Sequence, residues 1–167
     1  MQPPGVPRWT STRWRAACCL LVILASGCSS FQRHWKEVRL TQPTQTGLVG
    51  AWEGTWASEA SRHRGRLRCL IQQQGPTNYQ AWFRANYAGI LNFGYKVPLQ
   101  VIPAPDRQTF HGEANLGYLI GGVYTYDGYA ATTNLFSSYR CRMDHGRFDL
   151  VRPSPLRTTP TERRNSP

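Results

Sequence analysis

Between residues 47 and 153, apolar or aromatic side chains alternate with polar ones in short runs, and this period of two constrains the fold more than any other feature. Leu48, Gly50, Trp52, Gly54 and Trp56 share one face of a first strand. Leu67, Cys69 and Ile71 align in a second, opposite Arg66, Arg68 and Gln72. Tyr79, Ala81, Phe83, Ala85 and Tyr87 mark a third, and Phe93, Tyr95, Val97, Leu99 and Val101 a fourth. Phe110, Gly112 and Ala114 predict a fifth strand, Tyr124 and Tyr126 a sixth. Tyr139, Cys141 and Met143 predict a seventh, Phe148 and Leu150 an eighth. Turn residues separate most of them: His63-Arg64-Gly65, Gly75-Pro76, Pro105-Asp106, Asp127-Gly128 and Asp144-His145-Gly146. With no helix-period segment between them, the strands predict an all-β fold, a single antiparallel eight-stranded meander. Closing it into a round or flattened β-barrel removes both exposed edges.

The first strand, within GLVGAWEGTW, carries Gly50-Ala51-Trp52. This resembles the Gly-x-Trp that opens the first strand of lipocalins and their calycin relatives. The same stretch is similar to uncharacterised bacterial envelope lipoproteins that open GxWxGxW. Both resemblances imply a small β-barrel, and the first implies a carrier of a small apolar ligand.

Ahead of this zone lies a short apolar run, AACCLLVILASGC, over residues 16–28. It follows Arg8, Arg13 and Arg15, with no acid among them. Its core, Ala16 to Leu24, is about half the ~20 residues a membrane-spanning helix requires, so it reads as a secretory signal. The run ends in Ala25-Ser26-Gly27-Cys28, which resembles the lipobox of bacterial lipoproteins. The resemblance implies that residues 1–27 are a signal peptide and that Cys28 receives a diacylglycerol and an N-acyl lipid. The chain would then be exported and held on a membrane of the cell envelope. In a Gram-negative organism Ser29 resembles an outer-membrane address. The lipobox family most often has leucine where Ala25 stands, and Ala25 with Gly27 also satisfies the small-x-small rule of ordinary signal cleavage. That route cuts at the same place and leaves Cys28 without lipid.

Three zones follow the cut. Residues 28–46 read as a lipidated tether, in which Gln32 to Leu40 suit a short helix. Residues 47–153 form the barrel domain, and 154–167, rich in proline and poor in apolar side chains, read as a disordered tail. The net charge is +11, of which Arg8, Arg13 and Arg15 leave with the signal peptide. A basic balance suits anionic lipid headgroups, acidic wall polymers or nucleic acid, and export argues against the last.

Cys18 and Cys19 leave with the leader and Cys28 takes lipid, so Cys69 and Cys141 remain as one pair in an oxidising compartment. A disulfide between them is expected. It conflicts with a round meander, where strands two and seven stand three steps apart and a bridge needs Cα atoms roughly 4.4–6.8 Å apart. The barrel is flattened, the strand order is not simple, or the thiols are separate core residues.

No CxxC, HExxH or CxxCH occurs and the four histidines are scattered, so no metal is expected, and no cofactor beyond the lipid. An enzyme is not expected either. Asp127, Asp144 and His145 sit in turn signals, and His111 and Glu113 share an outward face by simple alternation. What remains is a non-catalytic binding or structural role. Twelve inward rings, Trp52, Trp56, Tyr79, Phe83, Tyr87, Phe93, Tyr95, Phe110, Tyr124, Tyr126, Tyr139 and Phe148, predict a largely filled barrel with a shallow aromatic pocket at one mouth. Outside, Arg66, Arg68, Trp82, Arg84, Arg140, Arg142 and Arg147 fall on neighbouring strands, interrupted by Glu53 and Asp149. Such a face suits an anionic envelope glycan, a lipid headgroup or an acidic protein. It equally serves to keep the outer surface wet.

Overall fold

The computed structural model describes residues 30–40, 47–87, 89, 91–102, 104 and 107–154, with Ile120 by its backbone alone. The expected signal peptide 1–27, Cys28, the expected Pro105-Asp106 turn and the expected tail from 155 lie outside the described residues. The chain divides into two units, residues 1–36 and 37–167. In the first, residues 30–36 are helical, with Phe31 and Trp35 stacked at 5.9 Å between ring centroids.

The second unit holds eight strands: β1 (Gly50–Ser58), β2 (Arg64–Gln73), β3 (Asn78–Tyr87), β4 (Leu91–Ile102), β5 (Gln108–Asn115), β6 (Val123–Ala130), β7 (Asn134–Arg140) and β8 (His145–Val151). Each pairs antiparallel with its neighbour in sequence, and β1 closes on β8 through Glu53↔Val151 to Ser58↔Gly146. The meander is therefore a closed barrel without free edges.

The alternation translates directly into inside and outside. Trp52, Leu67, Cys69, Ile71, Ala81, Phe83, Val97, Leu99, Phe110, Tyr126, Phe148 and Leu150 are buried within it. Registers such as Trp52↔Cys69 and Cys69↔Phe83 put these side chains in common layers. Burying one such side chain contributes about 1.5–3 kcal/mol.

The turn expected at Asp127-Gly128 lies instead inside β6, paired to β5 on one side and β7 on the other, and two further expectations are corrected. Strand seven begins at Asn134 and ends at Arg140, so Cys141 and Met143 belong to the turn that follows. The alternation is hidden there because Ser137 points inward; it is buried, and its hydroxyl donates to Asp127 O at 3.3 Å. The turn itself is tight, with Cys141 N donating to Asp144 O at 2.7 Å. Second, Cys69 and Cys141 are both free thiols. Cys69 is buried midway along β2, whereas Cys141 lies beyond the end of β7, and β2 neighbours only β1 and β3. In a round barrel the two cannot meet.

Candidate functional site

The two ends of the barrel are built differently, and the contrast locates the site. At one end the chain entering β1 is held by the chain leaving β8. Arg152 lies over the Trp52 ring, its guanidinium 3.7 Å from the ring centroid. It donates through Nη1 to Val49 O at 2.7 Å and through Nη2 to Gly47 O. Trp52 Nε1 donates to Leu48 O at 2.9 Å, and Leu48 N donates to Gln108 Oε1 at 2.6 Å. Burial lowers the Arg152 guanidinium from its usual range to about 10. These contacts plug this end.

The other end is open. A cavity of about 460 Å³ enters between the end of β1, the start of β2, the β3–β4 hairpin and the β5–β6 and β7–β8 turns. Eight rings line it: Trp56, Tyr87, Phe93, Tyr95, Tyr124, Tyr126, Tyr139 and Phe148. Behind them buried Phe83 packs against the lining, with centroids 5.2 Å from Tyr95, 6.0 Å from Tyr126 and 5.5 Å from Phe148. The walls are braced ring on ring, Tyr139 on Phe148 at 5.1 Å and Trp56 on Tyr87 at 5.9 Å. Trp56 is further fixed by its Nε1 donating to Asn86 O at 3.1 Å. Of the twelve rings expected inside, Tyr87, Tyr95 and Tyr124 are only half-buried and Phe93 is exposed, and all four line this mouth. They are the part of the core that lacks a lid.

The polar atoms of the cavity are few. Asp144 accepts from Ser58 Oγ at 2.6 Å and from Tyr139 Oη at 3.1 Å. Tyr126 is buried, and its hydroxyl meets no hydrogen-bond partner among the described residues. Tyr95, its ring 6.3 Å away between centroids, is the neighbour whose hydroxyl acts on that of Tyr126 as a hydrogen bond does, lowering its pKa, although the pair falls outside ordinary hydrogen-bond geometry. Burial raises the phenol of Tyr126 above its usual range, and also those of Tyr95, Tyr124 and Tyr139. Cys141 beside Tyr124 and Asp144 beside Tyr139 add to the last two. All four therefore present neutral hydroxyls. Burial likewise pushes the Cys69 thiol well up, which keeps it an inert core residue.

The chain matches no family model, no curated protein and no solved structure. The closed eight-stranded antiparallel meander is itself consistent with a lipocalin-like fold.

The expected arginine face divides. Arg68 and Arg84 are cross-strand partners, with Arg66 and Trp82 on the same outer side of β2 and β3. Arg68 pairs with Glu53 at 3.7 Å, and the Lys96 ammonium sits 4.8 Å from the Trp82 ring centroid. Thr55 and Glu53 of β1 stand between this group and β8. Arg140 and Arg147 line a separate outer groove of about 560 Å³ over β6 to β8, with Asp127, His145 and Asp149. There Arg147 pairs with Asp149 at 3.3 Å, His145 Nε2 lies 3.8 Å from Glu59, and His111 Nδ1 lies 2.8 Å from Asp127 Oδ1. Arg142 belongs to neither group; it lies in the β7–β8 turn with its guanidinium 5.1 Å from the Tyr118 ring centroid. Among the described residues no three His, Cys, Asp or Glu side chains converge as a metal site would.

Sequence reasoning missed two residues of this account. Arg152 lies just past the alternation, with no periodic signal to mark it. Asp144 was read as a turn residue, and its position on the cavity wall follows only from where β7 ends.

Proposed function

We propose that this chain is a lipid-anchored envelope protein whose barrel holds, without transforming it, a small flat apolar molecule at its open end. The anchor is the diacylglyceryl and N-acyl lipid on Cys28 that the lipobox implies, with the outer membrane as its address in a Gram-negative organism. One observation carries the binding reading: a cavity of about 460 Å³ walled by eight rings, with the unpartnered Tyr126 hydroxyl buried among them. Cavities of about 300–1,000 Å³, mostly apolar with a few placed polar groups, suit small organic ligands. Stacked rings favour a flat partner, and a lone hydroxyl favours one carrying a single polar atom at its inner end. Of these two concavities, the outer groove is lined by charged and polar side chains, with Arg147 and Asp149 paired, whereas the mouth has apolar surface and a hydroxyl without a hydrogen-bond partner among the described residues. The carrier reading therefore stands ahead of a purely structural role.

The test is native mass spectrometry of the protein extracted in mild detergent from its own envelope. An excess mass that vanishes on denaturation is expected, together with saturable Nile red binding by the isolated chain. Phe93→Ala removes one wall ring at a tolerant, exposed position and is expected to weaken the dye about fivefold. A species carrying only covalent acyl mass, with no dye bound, would overturn the carrier reading.

A further inference from the structure

We propose that the open end is a docking rim that seats the barrel, mouth down, on an anionic lipid bilayer. The large apolar side chains left in water are concentrated there. Leu119 is 91% exposed, Tyr118 77%, Leu91 64% and Met143 61%, with Phe93 and Val123 also exposed. All six sit on the β3–β4, β5–β6 and β7–β8 connections or on the strand residues next to them. They encircle the mouth of the aromatic cavity.

The most prominent part is a shaped tip and not a loose loop. Tyr118–Ile120 form one 3-10 turn, closed at its base by Gly122 N donating to Gly117 O at 2.9 Å and Leu116 N to Gly122 O at 2.9 Å. Gly117, Gly121 and Gly122 all take positive φ. At Gly121 a β-carbon would stand 2.7 Å from Cys141 Sγ, so this turn and the β7–β8 turn approach as closely as they do only with glycine there. The fold thus fixes Leu119 and Tyr118 outward, where they gain nothing from the core.

Charge decides the partner. The β1–β2 turn presents exposed Arg62 and leads into exposed Arg64, and the β7–β8 turn presents Arg142 over Tyr118. The acids near this end are fewer: Asp144 turns inward to two hydroxyls, Glu59 lies 3.8 Å from His145, and Glu113 is exposed near the end of β5. An apolar tip ringed by arginine and tyrosine suits the boundary between headgroups and acyl chains. Outward arginines add attraction to anionic headgroups. The plugged end leaves fewer such side chains in water, Ile102 at 70% and Val151 at 50%, and its turns hold Gly75, Pro76 and Thr77 in one and Thr132 and Thr133 in another. The inference does not depend on the cavity being filled, nor on the lipid at Cys28, which would only raise the rim's local concentration at a membrane.

The experiment is hydrogen exchange on the full chain, with vesicles of equal parts phosphatidylcholine and phosphatidylglycerol or of phosphatidylcholine alone. Because the leader and Cys28 can hold the chain on vesicles by themselves, the readout is local. Amides of 116–122 are expected to slow on the anionic vesicles and much less on neutral ones, while those of 131–133 stay unchanged. Leu119→Ser is expected to reduce that protection about tenfold, and Ile102→Ser, at a residue 70% exposed at the other end, to leave it intact. Equal protection of both ends, no protection of 116–122, or equal protection on neutral vesicles would overturn the proposal. Slowing of 116–122 without vesicles, rising with protein concentration, would assign the rim to a second copy and overturn it as well.

Discussion

The two ends of this barrel receive the same kind of strand and treat polar groups in opposite ways. At the plugged end Arg152 brings a charge into partial burial and satisfies carbonyls of the segment entering β1, with its guanidinium against the Trp52 ring. At the open end a buried phenol, Tyr126, has no partner, and rings that would complete a core stand half in water. A chain under selection for stability alone would close both ends alike. Leaving one end unfinished costs stability locally, and such costs collect where a surface is used.

The largest expected effect separates the ends by pH. At the open end burial holds Tyr95, Tyr124, Tyr126 and Tyr139 above the ordinary tyrosine value of 10.0. The folded state keeps those protons after the unfolded chain has begun to release them. Their contribution is therefore fully present below about pH 10 and is lost as pH rises beyond it. Arg152 at the plugged end works the other way. Burial lowers its folded value to about 10, so above that pH the unfolded chain binds more protons and stability rises with pH. Four groups oppose one, and the net result is loss. Urea midpoints measured at about pH 8 and about pH 11 should fall, with tyrosinate absorbance appearing in step with unfolding. Tyrosines that titrate in the ordinary range while the midpoint holds would remove the asymmetry.

Arg152→Ala comes next in size. It strips partners from Val49 O and Gly47 O and removes the cation above Trp52, and should destabilise the barrel by about 2–4 kcal/mol in urea unfolding. Lysine should not restore it, because the two bonds need the planar fork. A loss under about 0.5 kcal/mol would mean that the plug is not what closes this end.

How much of this was legible beforehand follows the same division. Alternation located β1 to β5, β8 and the first half of β6, whose second half it replaced by a turn at Asp127-Gly128, because a strand with one face inside and one in water must change polarity at every residue. It failed at β7, where Ser137 points inward yet finds a carbonyl, so a polar residue breaks the pattern without breaking the strand. It also extended that strand into Cys141 and Met143, because a turn closed through backbone atoms leaves no mark in the composition. The inward rings were legible as a set; that four of them gather without cover at one mouth was not. Which end is unfinished depends on strand lengths and registers. Arg152 was invisible for a related reason: it acts through main-chain carbonyls more than 100 positions away.

The smallest effect is also the most discriminating. Tyr126→Phe removes the hydroxyl that lacks a partner and leaves the ring that touches Phe83, Tyr124 and Phe148. A buried hydroxyl with a good bond would cost about 1 kcal/mol or more on deletion; one without should cost nothing, and its loss can stabilise by up to about 1 kcal/mol. The prediction is therefore a urea midpoint unchanged or slightly raised, with alkaline unfolding shifted upward because one raised phenol is gone. A clear destabilisation would show that Tyr95 or bound water satisfies the hydroxyl in solution, and the polar end of the ligand would have to be sought elsewhere. If the variant is stable but Nile red or the native ligand binds more weakly, the hydroxyl is kept for recognition at a small cost to the fold. That is the arrangement expected of an end left open for a ligand.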